Sequence, residues 1–417
     1  MNHFYLLIIC FFFNAISYAQ IIGEIELKNA NHLNQKFVLN LIQTKIGSTI
    51  DSTKINEDIL VLGRLNAVSK VDFEISKTTN DDCKLTFLFA EKSTIIPLVN
   101  FQKVDNLLAY TIGGYDFNFL KKNNIIGGFY RNNGFNSFSL RAAFPQLLSN
   151  KMGLETIVQK LVSKEPIYFS NQTANYKYVN TSFELSLNYQ IDYSKYIKIG
   201  GNLFNEKYDY IDGATAAGIP ISYQLNKKLL KFEFGIEHIK YDYYKLDGFK
   251  NNVNFQSIIP NKTNQVDGFN VVFNDFNFYK NFGYTNCASR IRLGISTNIN
   301  SPFAPFTVDN NVNIRGVGFL VDRGTAMIVL NNEIRQTLFE KKWFVLQGNA
   351  FVDAGTWRNR GGTFDDLLTQ KNIRVYSGLG LRFIHKTIYD AVFRIDYGFG
   401  LTQNKSSGIV FGIGQFF

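Results

Sequence analysis

The sequence predicts a mainly β protein: a transmembrane antiparallel β-barrel preceded by one small α+β domain. Three observations carry that reading. The 417 residues include 40 Phe, 22 Tyr and 32 Gly but only 7 Pro, at a mean hydropathy of −0.09. A helical membrane bundle would be far more apolar, whereas a wall with one apolar and one wet face averages to neutrality. The chain opens on an export signal, yet no later apolar run approaches the ~20 residues that a spanning helix needs. Finally, residues alternate between apolar and polar along most of 94–417.

The first element is the signal. Residues 4–13 are apolar and are followed by Ser17-Tyr18-Ala19, a small-x-small pattern, so residues 1–19 are expected to be removed after Ala19. No Lys or Arg precedes the apolar stretch, only His3. An exported membrane protein without a spanning helix has to be a closed barrel, because only helices and barrels satisfy every backbone group in lipid.

Residues 20–93 mix two periods. Residues 22–27 alternate as a strand. Leu33, Phe37, Leu41 and Ile42 fall at helical spacing over 32–44, with Gly47 as the stop. Ile55, Ile59, Leu60 and Leu62 repeat that spacing over 51–65 behind Ser52 and Thr53, which are expected as caps. Strands follow at 68–75 and 84–90. The order strand, helix, helix, strand, strand predicts a small α+β domain with a mostly antiparallel sheet.

From 94 onward the helical period is gone. Phe183, Leu185, Leu187, Tyr189 and Ile191 alternate with Glu184, Ser186, Asn188 and Gln190. Leu230, Phe232, Phe234 and Ile236 do the same. The apolar phase then changes at His238 to Ile239, Tyr241 and Tyr243, which predicts a bulge or a strand end. A third strand carries Ala391, Phe393, Ile395, Tyr397 and Phe399 opposite Arg394 and Asp396. At roughly 20 residues per strand and turn, 94–417 holds about 14 to 16 strands. No propeller-like repeat is visible, and the polar positions include charges, as a wet lumen requires.

Lys plus Arg outnumber Asp plus Glu by 44 to 34, giving +10. The basic residues are scattered, with no run beyond pairs such as Lys121-Lys122, so no nucleic-acid partner is expected. They suit a pore lining or anionic lipid head groups. Cys10, Cys83 and Cys287 make no disulfide framework, and His3, His32, His238 and His385 lie at no ligand spacing. There is no Gly-x-Ser-x-Gly elbow and no phosphate loop. No enzyme, metal or cofactor is expected.

Four C-terminal motifs narrow the reading. They are Asn313-Ile314-Arg315-Gly316-Val317-Gly318 after a long polar segment, Asn332-Glu333-Ile334-Arg335, Phe351-Val352-Asp353-Ala354-Gly355, and the ending Phe411-Gly412-Ile413-Gly414-Gln415-Phe416-Phe417. If Glu333 and Asp353 face the lumen from neighbouring strands, an inward-folded loop brings Arg315 to both. A bidentate Arg–carboxylate contact there would pin the loop.

In these motifs the chain resembles the BamA-like outer-membrane insertase and translocase superfamily, over nearly all of the mature sequence. The resemblance implies a POTRA-like periplasmic domain at 20–93 and a surface-antigen barrel of about 16 strands at 94–417. It implies a lumen loop lock of Arg315, Gly316, Glu333 and Asp353, with Val317 standing where the family has Phe or Tyr. It also implies that the last strand, marked by Gly412, Gly414 and Phe417, carries the sorting signal and pairs with the first strand to close the barrel.

The expected function is outer-membrane protein insertion or translocation through a lateral seam or gated lumen, without nucleotide hydrolysis. The alternative is a passive pore or structural barrel that docks a periplasmic partner. Partners would be unfolded outer-membrane or secreted client proteins, outer-membrane lipids, and periplasmic or lipoprotein accessory subunits. Clients are expected to add to an exposed domain edge at Val71, Phe73 and Ile75.

Overall fold

In the computed structural model, the described residues are 20–78, 82–104, 107–169, 172–214, 221–261, 267–300, 305–308, 313–318, 323–402 and 406–417. The expected signal at 1–19 lies outside them.

The N-terminal domain is built from β1 (Ile22–Lys28), α1 (Gln35–Leu41), α2 (Ser52–Gly63), β2 (Val68–Lys77) and β3 (Cys83–Glu91). Its sheet order is β1-β3-β2. β2 runs antiparallel to β3, but β1 joins β3 in parallel, so the sheet is half antiparallel rather than mostly so. The two helices separate β1 from β2 and return the chain for that parallel pairing. Asn34 caps α1 by accepting the Phe37 N–H at 2.9 Å. Asp51, not Ser52 or Thr53, caps α2, taking the N–H groups of Thr53 and Lys54. One oxygen of the carboxylate, Oδ1, accepts both orphan amides. The helical stripe and alternate strand positions meet in a core of Ile22, Phe37, Val38, Ile55, Leu62, Leu85 and Phe87.

The wall starts with β4 (Ile95–Val104), β5 (Leu107–Phe119), β6 (Asn124–Asn132), β7 (Asn136–Ser149), β8 (Met152–Phe169) and β9 (Gln172–Gln190). It continues with β10 (Lys195–Gly213), β11 (Ser222–Asp242), β12 (Lys245–Pro260), β13 (Phe269–Phe282) and β14 (Thr285–Ser296). β15 (Phe306–Thr307) and β16 (Arg323–Gly324) form a separate two-stranded pair. The wall then runs through β17 (Ala326–Glu340), β18 (Phe344–Arg358), β19 (Arg374–His385), β20 (Val392–Gly400) and β21 (Ser407–Ile413).

Of the nineteen strands in the large sheet, three belong to the N-terminal domain. The other sixteen form an antiparallel meander, each paired to its neighbours in sequence. Among the described residues no ladder joins β4 to β21, so the sheet is open between its first and last strands. The closing pairing implied by the resemblance is therefore absent from the described residues. At one end of this seam the two sides still touch. Ser93 donates to the Thr387 carbonyl and accepts from the Tyr389 N–H, both at 2.8 Å, and the rings of Phe117 and Tyr389 lie 4.5 Å apart.

The pleat sets the two faces. Leu185, Ile199, Leu203, Leu230, Ile334, Leu379 and Phe411 are exposed on the outside of the wall. Glu155, Ser186, Glu333, Arg335, Asp353 and Asp396 are buried on the inside. No helix among the described residues is long and apolar enough to cross a membrane.

The expected bulge at His238 does not form. β11 pairs with β12 without a register shift. Ile239 and Tyr241 keep the inward phase of Glu237, and the inner face itself turns apolar there. Ile239 is 1% exposed in a cluster with Tyr279 and Ala288, and Tyr241 lies against Gly63 of α2. The apolar phase changed because Tyr241 meets the N-terminal domain, whereas Ile239 packs inside the wall with Tyr279, Ala288 and Phe417.

Several bonds hold the domain there. Arg64 donates to the Glu237 carbonyl at 3.0 Å and lies 3.5 Å from its carboxylate. Asn66 bonds to Asn123 and Phe117, and Asn118 donates to the His32 carbonyl. A cavity of about 490 Å³ remains between the helices and the strand turns, lined by Phe37, Val61, Arg64, Pro145 and Tyr193.

Candidate functional site: a buried arginine lock

β17 and β18 pair with Asn331 opposite Asp353 and Glu333 opposite Phe351. Because side chains alternate faces, Asn331, Glu333, Arg335, Phe351 and Asp353 all point inward, and each is buried. The described loop segment 313–318 crosses them from inside.

Arg315 is fully buried and forks onto Asp353. Its Nε donates to Oδ2 and its Nη2 to Oδ1, each at 2.9 Å, and its backbone N–H adds a bond to Oδ2 at 3.0 Å. Its Nη1 donates to Glu333 and lies 3.8 Å from Asp396 on β20. Its guanidinium carbon sits 3.7 Å from the ring centre of Phe351. Asn331 ties the loop again, donating to the Asn313 carbonyl and to Asp353 Oδ1, both at 2.8 Å. The four residues expected to form the lock are thus together.

Gly316 is required where it stands. Its φ is +87°, and a Cβ there would meet the Gly398 backbone at 2.5 Å. Gly398 is equally constrained, since its Cβ would meet the Arg315 carbonyl at 2.3 Å. This contact seats the loop on β20, and Ser406 beside β21 donates to the Val317 carbonyl at 3.3 Å. Val317 is 2% exposed in a cluster with Val308, Ile314, Val329 and Trp357, so its smaller side chain is packed.

The site is larger than the motifs showed. Arg335 donates to Glu333, Arg382 to Asp396 at 2.8 Å, and Arg394 to Asp396 at 3.0 Å. Arg290 donates to Asn331 at 2.9 Å, and Arg292 forks onto Asp275 while reaching Asn313. Asp396 and Arg394 were visible as polar positions of an alternating strand. That they share a site with Glu333 and Asp353 follows from the lumen bringing β17 to β20 together, which no sequence spacing displays.

Gly412 and the last two expected markers lie at the end of the wall. Gly412 is on β21 facing inward, where a Cβ would meet Arg394 Nε at 2.4 Å. β21 ends at Ile413, and Gly414 and Phe417 lie beyond it. Of the residues expected to hold a client on β2, Val71 is buried, Phe73 packs on the domain core and Ile75 is 40% exposed. The free edge of β2 offers main chain, and its first part is occupied. Lys70 bridges Asp242, the Tyr243 N–H donates to the Ser69 carbonyl, and Ser69 Oγ donates to the Lys386 carbonyl.

Neither a protein-family model nor a curated protein matches the sequence. Solved structures do match. CdiB from Acinetobacter baumannii superposes with a TM-score of 0.61 at 15% identity, covering 95% of this chain and 74% of that one. CdiB from Escherichia coli gives 0.61 at 12%, covering 94% and 75%. BamA from Haemophilus ducreyi lacking POTRA domains 1–3 gives 0.56 at 14%, covering 94% and 84%. At these identities the likeness establishes the fold: the chain is BamA-like in architecture along nearly its whole length.

Proposed function

We propose that this chain is an outer-membrane barrel that inserts or translocates client polypeptides, using a lateral seam or gated lumen and no nucleotide hydrolysis. The observation that carries this reading is the pairing of an open seam with a buried lock. Among the described residues the wall shows no ladder between β4 and β21, while the Arg315 loop is tied to β17, β18 and β20 on the β21 side of that seam. An unpaired strand edge in a wall offers backbone groups to an incoming strand. A buried, forked arginine holds the adjacent wall in one arrangement.

On this reading residues 20–93 are a periplasmic POTRA domain and residues 94–417 are the barrel. The free part of the β2 edge is a client-recruiting main chain. Partners are unfolded outer-membrane or secreted proteins, the lipids around the apolar outer face, and accessory subunits docking on the domain. The lumen charges serve structure and passage, and the chain is not an enzyme.

Quantitative outer-membrane and secretome proteomics after depletion of this chain tests the reading. Loss of many unrelated barrels identifies a general insertase, and loss of one exported protein identifies a dedicated translocator and its client. An unchanged proteome, with a steady open conductance from the purified chain in a planar bilayer, supports the passive pore instead.

A further inference from the structure

The chain's last residues leave the wall. After β21 ends at Ile413, Gly414 takes φ +80° and donates its N–H to the Val392 carbonyl at 2.8 Å. The tail then enters the lumen. The Phe416 ring lies 4.1 Å from the guanidinium carbon of Arg315 and 5.0 Å from those of both Arg290 and Arg394. Phe417 lies 5.2 Å from Arg290 and 5.7 Å from Arg335, and its main-chain oxygen accepts from Arg335 Nη2 at 3.1 Å. The rest of the Phe417 side chain packs on Ile239, Tyr279 and Ala288.

Three guanidinium groups around one ring repel each other, and the negative faces of the ring offset that repulsion. The surrounding cluster also keeps spare donors. Arg335 Nη1 and Arg382 Nε are buried without a hydrogen-bond partner among the described residues. Such a place takes an aromatic side chain on a segment whose main chain supplies an oxygen acceptor, as the Phe416 ring and the Phe417 oxygen do.

We propose that this arginine ring is a binding site for an aromatic residue carried on an extended segment. Phe416-Phe417 is its resident occupant, and an aromatic segment of a client polypeptide takes its place when the tail withdraws. The occupant is exchangeable because no ladder holds it. Its contacts are ring-to-cation, one main-chain oxygen and the packing of Phe417 on the Ile239 cluster, and Gly414 is the turn on which it swings. The same exchange reaches the lock, since Phe416 rests on the arginine that binds Glu333 and Asp353. Tail position on the seam strand and loop position in the lumen are thereby linked.

The test uses the purified full chain in detergent with Phe416→Trp, read as difference emission against the unsubstituted protein. Millimolar Gly-Gln-Phe-Phe is expected to shift that emission to the red saturably, while Gly-Gln-Ala-Ala leaves it unmoved. A second variant lacking residues 415–417 is expected to unfold at lower temperature and to regain the full-chain value with the Phe-Phe peptide only. Emission unmoved by the Phe-Phe peptide, or moved equally by both peptides, overturns the proposal. So does a truncated chain of undiminished stability, or one that the peptide does not restore. If the truncated chain fails to fold, the emission measurement on the full chain decides alone.

Discussion

Arg315 meets Asp353 through three hydrogen bonds, two from the guanidinium fork and one from its own backbone N–H. The acid therefore fixes the side chain and the main chain of the loop together. Both residues are fully buried, so neither charge has water to fall back on.

Arg315→Ala is expected to cost about 3–5 kcal/mol, because it takes the forked cation from the buried Asp353 carboxylate, whereas Glu333 keeps Arg335. Arg315→Lys keeps the charge but loses the fork and should also destabilise. Loss of heat-modifiable migration in gels and new protease cleavage in 313–318 would register the released loop. Unchanged behaviour in both variants would mean that the contact does not hold the loop.

Gly316→Ala and Gly398→Ala attack the same seating from the backbone. Each added methyl meets main-chain atoms within 2.6 Å, with nothing flexible to yield, so the loop has to lift from β20. A loss of about 1–3 kcal/mol is expected at either site, from overpacking. Thermal melts of the two single variants and the double variant should show non-additivity, since each methyl answers the same contact.

The domain's dock against the lumen mouth depends on Arg64. Arg64→Ala removes both its bond to the Glu237 carbonyl and its ion pair. An opening favoured by about 1–2 kcal/mol, or roughly 5–30-fold, is expected. Limited proteolysis at the connector around Ser93 should accelerate accordingly.

The connector also gives a pH dependence. Burial holds the Lys92 ammonium down at about 8 from its ordinary 10.5, only partly offset by Asp390. A group with a lowered cationic pKa keeps its proton in both states below pH 8 and loses it first in the folded state above that. The unfolded state then binds more protons, so stability rises from pH 8 to about 10.5. Lys92→Met should remove this rise and raise the melting temperature at pH 7, as read by pH-resolved melts.

Much of the architecture was legible because the pleat writes itself into residues such as Phe183, Leu185 and Leu187 against Glu184 and Ser186. The meeting of Arg315 with Glu333 and Asp353 was legible because they sit in short motifs whose facing follows from alternation. What escaped depended on neighbours that sequence does not name. Asp396 and Arg382 join the cluster through the curvature of the wall. β1 pairs in parallel because two helices intervene. Ile239 and Tyr241 looked like a phase slip because sequence does not show that Phe417 packs on the first and the N-terminal domain on the second. The inward tail depends on Gly414 at φ +80°, a conformation available to glycine but not announced by it.

Of the two routes proposed, passage at the lateral seam between β21 and β4 is the one the open wall favours. A photo-cross-linking amino acid at Ile413, the last residue of β21, tests it most directly against the same probe at Ile199, exposed in the middle of the wall on β10. The account predicts that exported or membrane-inserting polypeptides are captured at Ile413 during active synthesis and not at Ile199. Equal capture at both positions, or none at Ile413, would contradict it.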